Sequence, residues 1–287
     1  MRIKIWGCRG SLPVSGPKVD RYGGNTTCVE VRDRGRNRII LDAGTGVRNL
    51  GKHLLREKGP HKITFLFSHA HWDHLQGFPF FGPAYSPDFE IAICGGPATQ
   101  QSIRQFLAHQ MEPPYFPIAF AQLKANIRYG CHCGSTKCSG NPTHTDGQLC
   151  CGSIPLSHPN GGYGFKLMEA DRSFVFVPDN EIGFHHEGGP SREEFVRFIA
   201  GADLLFHDAQ YTEAEYRKTR GWGHSTYQAV VKIALEAGVK RLGLFHHDPD
   251  REDVDLDRQV ERCRQWIAES GKTMECFACA EGMELTV

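Results

Sequence analysis

The segment 69–74, with the sequence HAHWDH, constrains the fold of this chain more than any other stretch. It comes one residue after the apolar run 63–67 (ITFLF), which predicts a buried strand. Three imidazoles and one carboxylate are the donor set that zinc and similar divalent ions use in hydrolytic sites. The alternative is a polar loop that merely contains three histidines, but this order directly behind a buried strand favours a metal site at one open edge of a sheet.

Three further candidate ligands follow apolar runs later in the chain. His158 stands between such a run and a Pro-Asn-Gly-Gly turn, whereas Asp179 and His246 each come directly after a run of strand character. Polar residues at the carboxyl ends of buried strands are the usual functional groups of such sheets. His247 competes with His246 for the same role, and we prefer His246 because it is the first residue after the strand.

Alternating patterns predict a layered α/β fold with strands and helices along the whole chain. Helical periodicity of apolar residues is seen at 47–55, 230–237 and 256–267. Strands are predicted at 2–6, 28–32, 38–42, 63–67, 89–93, 153–157, 164–169, 174–178, 203–206 and 241–245, and the alternation of Met274, Cys276 and Ala278 indicates one more.

These motifs together resemble the metallo-β-lactamase fold family. The resemblance extends to Asp42 in the segment 41–46 (LDAGTG), which is similar to the first motif of the family, where the aspartate orients the loop and binds no metal. It implies a four-layer αββα sandwich with the metals at one rim. We expect residues 1–287 to form a single metallo-hydrolase domain, because no linker is long enough to separate two.

The resemblance also implies two divalent ions, with zinc expected and manganese or iron compatible with the same donors. Two cations about 3.5–4 Å apart hold a bridging hydroxide and stabilise the attacking and leaving oxygens of a phosphodiester. The implied ligands are His69, His71 and His158 for one ion, Asp73, His74 and His246 for the other, and Asp179 between the two. We assign Asp73 to catalysis as well as to metal binding.

Two more segments resemble the branch that contains ribonuclease Z and the cyclic-nucleotide phosphodiesterases. Segment 206–209 (FHDA) is similar to its H-E-A-T motif, and segment 223–226 (GHST) to its G-H-S-T motif. The resemblance implies that His224 contacts the phosphate and helps to protonate the leaving group, while Asp208 orients it. The alternatives are that His224 only caps a helix beginning near Ser225, and that Asp208 supports a metal-bound histidine.

The substrate is expected to be a small or cyclic phosphodiester. The transfer RNA enzymes of the branch carry a long arm between the residues that correspond to His158 and Asp179, but here only about twenty residues separate the two. The formal net charge is zero, so no global positive field attracts nucleic acid, although such a substrate stays open. A transfer RNA 3′-processing endoribonuclease, a thioester hydrolase on the same fold and a non-catalytic metal or redox sensor also stay open.

A cysteine-rich insertion is predicted at about 130–151. Its density of thiols indicates one additional structural zinc, with an iron–sulfur centre, a redox-sensitive thiol cluster or unligated cysteines as alternatives. The candidate ligands are Cys131, Cys133, Cys138, Cys150 and Cys151.

The setting is expected to be the cytoplasm. Eleven cysteines is an odd number, and several lie in apolar strands, which suits reduced thiols better than disulfides. No apolar run is long enough for a signal peptide or a membrane span. The aromatic residues of 78–85 and 115–116 could line a pocket beside the metals or pack in the core, and a role in dimer packing leaves a homodimer open.

Overall fold

A computed structural model describes residues 1–35, 37–58, 61–95, 100–130 and 149–287. In it, two β-sheets are covered by helices. The strands in chain order are β1 (Arg2–Gly7), β2 (Cys28–Arg32), β3 (Arg38–Leu41), β4 (His61–Phe67), β5 (Phe89–Gly95), β6 (Asn126–Tyr129), β7 (Cys150–Pro155), β8 (Tyr163–Glu169), β9 (Arg172–Val177), β10 (Leu204–Asp208), β11 (Arg241–Phe245), β12 (Glu275–Ala278) and β13 (Glu284–Thr286).

In the sequence, the α-helices are interspersed with these strands. They are α1 (Val47–Leu54), α2 (Trp72–Leu75), α3 (Gln100–His109), α4 (Arg192–Ile199), α5 (Glu213–Thr219), α6 (Tyr227–Glu236) and α7 (Asp253–Glu269). None of these described helices combines the length and the apolar character that crossing a bilayer requires.

The first sheet is formed by β1 to β6 and the second by β7 to β12, and the last strand, β13, returns to the first sheet. The first has the order β13-β1-β2-β3-β4-β5-β6, and the second has the order β12-β11-β10-β9-β8-β7. Strands β3 to β6 run parallel to one another, as do β9 to β12. Parallel neighbours end at the same edge of a sheet, so the residues after β3, β4, β9, β10 and β11 come close together.

Each central strand is buried on both faces and supplies alternate residues to two different cores. On β9, Phe174 and Phe176 pack between the sheets, whereas Val175 and Val177 pack against the helix layer of α4, α6 and α7. A third core joins the outer face of the first sheet to α1 and α3. The layers are therefore helix, sheet, sheet and helix, which confirms the predicted αββα sandwich.

The predicted strands and helices are all present, with shifted ends. Strand β7 ends at Pro155 rather than at 157, because the chain turns there towards the metal centre. Strands β6 and β13 were not predicted. Both lie at sheet edges, and their partly exposed side chains form no apolar run. Helices α4 and α5 were also missed, although Ser191 and Thr212 open each with a capping box.

Candidate metal centre

The first motif forms a strand–loop–helix unit at the carboxyl end of β4. The strand ends at Phe67, and the short helix α2 starts with His71 as its N-cap residue. This turn places His69, from the strand side, and Asp73 and His74, from the helix side, in two adjacent groups of potential ligands. His69, Asp73 and His74 are buried and His71 is partly exposed, so three of the four candidate ligands of the motif are shielded from solvent.

A first group of potential ligands consists of His69, His71, His158 and Asp179. Each offers one ligand atom, and these atoms lie within 4.8 Å of one another. His158 Nε2 lies 3.0 Å from His71 Nδ1, and Asp179 Oδ2 lies 3.7 Å from the Nε2 atoms of both His69 and His158. Three imidazoles and one carboxylate oxygen thus surround a common point, as a divalent metal site requires.

A second group consists of Asp73, His74 and His246, again with their ligand atoms within 4.8 Å. Asp73 Oδ2 lies 3.0 Å from His246 Nε2 and 3.2 Å from His74 Nε2. The other oxygen of Asp179, Oδ1, lies 3.1 Å from His74 Nε2 and 3.3 Å from His246 Nε2. Asp179 therefore directs one oxygen to each group, and the structure brings all seven predicted ligands together.

Several buried polar atoms in this centre have no hydrogen-bond partner among the described residues. They include His69 Nε2, His74 Nε2 and Asp179 Oδ1. Buried polar atoms are nearly always satisfied in folded proteins, so three unsatisfied ones aimed at the same space need an explanation. Metal ions bonded to these atoms would satisfy them, and the residues therefore fit divalent metal binding.

The imidazoles of the first group are held neutral. Burial lowers the pKa of His69 well below its usual range, with the nearby His74 acting in the same direction. Burial likewise lowers the pKa of His71, and it lowers the pKa of His158 to about 4. Neutral imidazoles have a lone pair to donate, which is the form that binds metals.

The carboxylates make the second group attractive to positive charge. Burial alone would raise the pKa of Asp179, but His246 and His74 hold it well below its usual value. For His74 the balance is reversed: burial disfavours the charged form, yet Asp73, Asp179 and Asp42 hold its pKa well above the usual value. Three carboxylates around one buried imidazole create a negative local potential, which bound divalent ions would neutralise.

Asp42 supports the centre and is placed to orient His74. Its backbone has a φ of +59°, and its side chain accepts hydrogen bonds from Ser68 N at 2.7 Å and Ser68 Oγ at 2.6 Å. His74 Nδ1 donates to Asp42 Oδ2 at 2.7 Å. This bond keeps a proton on Nδ1, so Nε2, the atom facing the other candidate ligands, is the one that would give up its proton to bind a metal.

The structure separates His246 from its neighbour His247. His246 Nδ1 donates to Gln210 Oε1 at 3.0 Å, so its Nε2 is the ligand atom that faces Asp73. His247 Nε2 instead donates to the carbonyl of Cys279 at 2.8 Å, away from the centre. Sequence reasoning did not identify Gln210, because a single glutamine after a strand carries no recognisable pattern.

A glycine turn positions His158. His158 Nδ1 donates to the carbonyl of Gly223 at 2.9 Å. Glu181, a buried carboxylate two residues after Asp179, accepts from the N–H groups of Gly221 and Gly223, each at 2.7 Å. Glu181 was also missed by sequence reasoning, since nothing in its own segment indicates that it bonds a loop forty residues away.

Replacing Gly223 with alanine is expected to misplace His158 and to lower kcat/KM by about 100-fold, the effect of a misplacement of about 1 Å in a catalytic site. Gly223 has a φ of +95°, and a Cβ there would lie 2.1 Å from His158 Nδ1. Gly221→Ala is the matched control. Its φ is +90°, but a Cβ would meet nothing within 4 Å, so only the backbone cost of about 1–2 kcal/mol applies. Equal activity losses in the two variants, compared at temperatures where both are folded, would contradict this account.

His224 and Asp208 lie beside the two ligand groups. His224 Nδ1 is 3.3 Å from Asp208 Oδ2 and 3.9 Å from Asp179 Oδ2, and its ring stacks on that of His246 with centroids 4.9 Å apart. Burial would lower the pKa of His224, but the carboxylate of Asp208 dominates with other nearby acids and raises it to about 9. A histidine with this pKa is protonated at neutral pH and suits proton donation.

The helix-capping alternative for His224 is wrong. Helix α6 begins at Tyr227, and its N-cap is Thr226, whose side chain accepts from Ala229 N. Ser225 makes a different contact: its N–H donates to Asp208 Oδ2 at 2.9 Å. Asp208 is thus fixed by the backbone of the loop that carries His224, and it contacts His224 instead of supporting a ligand histidine.

The cysteine-rich insertion is described only at its end. Cys131, Cys133 and Cys138 lie outside the described residues, whereas Cys150 and Cys151 begin β7. Neighbouring residues of a strand point to opposite faces, and Cys151 packs in the core between the sheets while Cys150 is partly exposed. Any metal site reached by Cys150 would therefore lie on the face opposite to Cys151, and the structural zinc stays a prediction.

The aromatic residues near the first motif have two different roles. Phe78 and Phe81 are buried in the core under α1, as the core-packing interpretation predicted. Phe80 and Tyr115 have exposed fractions of 58% and 67% and belong to the surface.

Comparison with known proteins agrees with this geometry. Residues 37–247 match the family model described as the β-lactamase superfamily domain. A ribonuclease Z from Porphyromonas gingivalis is 26% identical, over 88% of this chain and 90% of its own length. Among solved structures, the metallo-β-lactamase fold protein YhfI from Bacillus subtilis has a TM-score of 0.67 at 17% identity, with 99% of each chain covered. A diphosphatase from the PhnP family has a TM-score of 0.66 at 16% identity, with 100% of this chain and 97% of that chain covered.

Proposed function

The chain belongs to the β-lactamase superfamily and is a metal-dependent hydrolase, and from this premise we propose that it cleaves small phosphodiesters at a centre for two divalent ions. The observation that carries the proposal is the position of Asp179, with one carboxylate oxygen directed to each group of candidate ligands. A carboxylate that bridges two ions suits phosphoryl transfer, in which charge develops on both the attacking and the leaving oxygen.

Each side chain of the centre has a defined part in this proposal. The ligands would be His69, His71 and His158 for one ion, Asp73, His74 and His246 for the other, and Asp179 for both. When bound, the ions would supply Lewis acidity, which lowers the pKa of water and offsets negative charge on the phosphate oxygens. The depressed pKa values of Asp73 and Asp179 keep both carboxylates ionised and available as ligands near neutral pH.

His224 would protonate the leaving alcohol. The carboxylate of Asp208 lies beside Nδ1 and favours the imidazolium, which leaves the proton on Nε2 for transfer. His224 is largely buried, so a substrate oxygen bound beside it would be the main acceptor for its proton.

A ribonuclease activity is the second candidate, because the relative from Porphyromonas gingivalis is a ribonuclease Z. Two observations favour a smaller substrate. The residues between His158 and Asp179 are occupied by the hairpin of β8 and β9, so no substrate-holding arm is inserted there. The formal net charge of zero also means that the chain has no overall positive field to attract an RNA backbone.

The experiment that tests the proposal measures hydrolysis of bis(p-nitrophenyl) phosphate and of an aryl thioester by the same preparations. The protein is stripped with a chelator and reloaded with zinc, manganese or iron, and its metal content is measured in parallel. We expect phosphodiester turnover that disappears with the metal and returns with it. Thioester turnover without phosphodiester turnover would establish the other chemistry, and no turnover by protein with two bound ions would favour a sensor.

A further inference from the structure

A cavity of about 470 Å³ continues the metal centre outward, with His224 and Ser11 in its wall. Ser11 N donates to Asp73 Oδ2 at 2.8 Å, so one end of the cavity is fixed to a candidate ligand. A volume of this size lies in the range of small-molecule sites. Because His224 is the proposed proton donor, a group bound in this cavity would lie where the alcohol leaves.

Trp222 forms part of the cavity wall and is 62% exposed. It stands between Gly221 and Gly223, whose N–H groups both donate to the buried carboxylate of Glu181. The turn is therefore held firmly while its tryptophan faces outward. Within the described part of the chain, no ring or cation stacks on the Trp222 indole, so its face is open to a planar ligand.

The charged groups of the cavity are of both signs and can hydrogen-bond an uncharged ligand. Arg251 is already paired with Glu215 at 2.7 Å, and Lys218 has no carboxylate within ion-pair distance among the described residues. Asp248 and Asp250 add two carboxylates to the same wall. Carboxylates accept hydrogen bonds from hydroxyl and amino groups but repel a run of phosphates.

We propose that this cavity is a leaving-group subsite for a nucleoside, in which the base stacks on Trp222 and hydroxyl groups donate to Asp248 or Asp250. The inference rests on the proposed phosphodiesterase function and makes it more specific, because a nucleoside joins a planar ring to several hydroxyl groups. Hydrolysis transfers the phosphoryl group to water and releases the nucleoside as the alcohol, with its oxygen protonated from His224. Trp222 is then a specificity-determining residue.

The first test measures binding of adenosine and of ribose by calorimetry to the unaltered protein, Trp222→Ala and Trp222→Phe. Stacking of a base on an aromatic side chain corresponds to roughly 10- to 100-fold in affinity. Trp222→Ala is expected to lose about this factor for adenosine, and Trp222→Phe to keep most of the affinity. Ribose binding should be the same in all three. Tyr115→Ala, which removes an exposed aromatic ring outside the cavity, is the control.

The second test compares a dinucleoside monophosphate with two analogues, each lacking one of its bases. Trp222→Ala should lower kcat/KM by roughly 10- to 100-fold for the complete substrate and leave it unchanged when the base of the leaving nucleoside is absent. Equal losses for all three substrates, or adenosine binding that survives in Trp222→Ala, would overturn the inference even if phosphodiesters are cleaved. Trp222-dependent adenosine binding in an unaltered protein that cleaves no phosphodiester would instead overturn the proposed function, and the leaving-group role with it.

Discussion

Asp179→Ala is expected to lower kcat for bis(p-nitrophenyl) phosphate by at least about a thousand-fold, equivalent to roughly 4 kcal/mol of lost transition-state stabilisation. Asp179 contacts both ligand groups, with oxygens 3.1 Å from His74 Nε2 and 3.7 Å from His69 Nε2. In the proposed two-ion centre its removal would take a ligand from each ion, and it would leave the imidazoles without their central carboxylate. Turnover and metal content per chain are measured together, and we expect the bound metal to fall.

Asp203→Asn is the matched control for this variant. Asp203 is also buried, and it accepts from Ser173 N at 2.9 Å while pairing with Arg172 and Lys240, but it belongs to no ligand group among the described residues. It should lose stability and keep its metal and its kcat. An Asp179→Ala protein that retains both ions and most of its turnover would exclude Asp179 as a bridging ligand.

His224→Ala is expected to have an effect that depends on the leaving group. General acid catalysis contributes about 10²- to 10⁴-fold, and a nucleoside or methyl alcohol needs that proton whereas p-nitrophenolate departs without it. Turnover of a dinucleoside phosphate should therefore fall by at least about 100-fold, and turnover of bis(p-nitrophenyl) phosphate by much less. The measurement is kcat for both substrates in the same preparations, with metal content as a check.

Because His224 also lies near Asp179 and His246, it could act as a further ligand. The two roles give different results: loss of a ligand would reduce both activities alike and lower the metal content. Asp208→Asn provides a milder comparison, since Asp208 raises the pKa of His224 without being the proton donor itself. We expect Asp208→Asn to lower turnover of the dinucleoside phosphate more than turnover of bis(p-nitrophenyl) phosphate, as His224→Ala does, but by a smaller factor.

The candidate ligand set could be predicted from the sequence because its members lie in segments that follow buried strands. His69, Asp179 and His246 follow apolar runs, and parallel strands bring their ends to one edge. The supporting residues could not be found in this way. Glu181 and Gln210 act on loops that are distant in sequence, so their partners are defined only by the folded chain.

The limits of the fold prediction have a similar physical cause. Interior strands such as β9 are buried on both faces, so they appear in the sequence as continuous apolar runs. Edge strands such as β6 have half of their side chains in water and leave no such run. The order of strands within each sheet depends on packing between distant segments and was not predicted. The four-layer arrangement came from the family resemblance and not from periodicity.

The candidate ligands are divided between the two sheets, and this division affects how the protein unfolds. His69 and His74 follow a strand of the first sheet, whereas Asp179 and His246 follow strands of the second. Ions bound by both sets would cross-link the two sheets. The sheets could then not move apart without breaking bonds between the metal and its ligands. Through binding linkage alone, an ion at 100 times its dissociation constant adds about 2.7 kcal/mol to folding stability. The metal centre would thus also stabilise the packing of one sheet on the other. Removing the metal with a chelator would lower the stability of the whole fold as well as abolish activity.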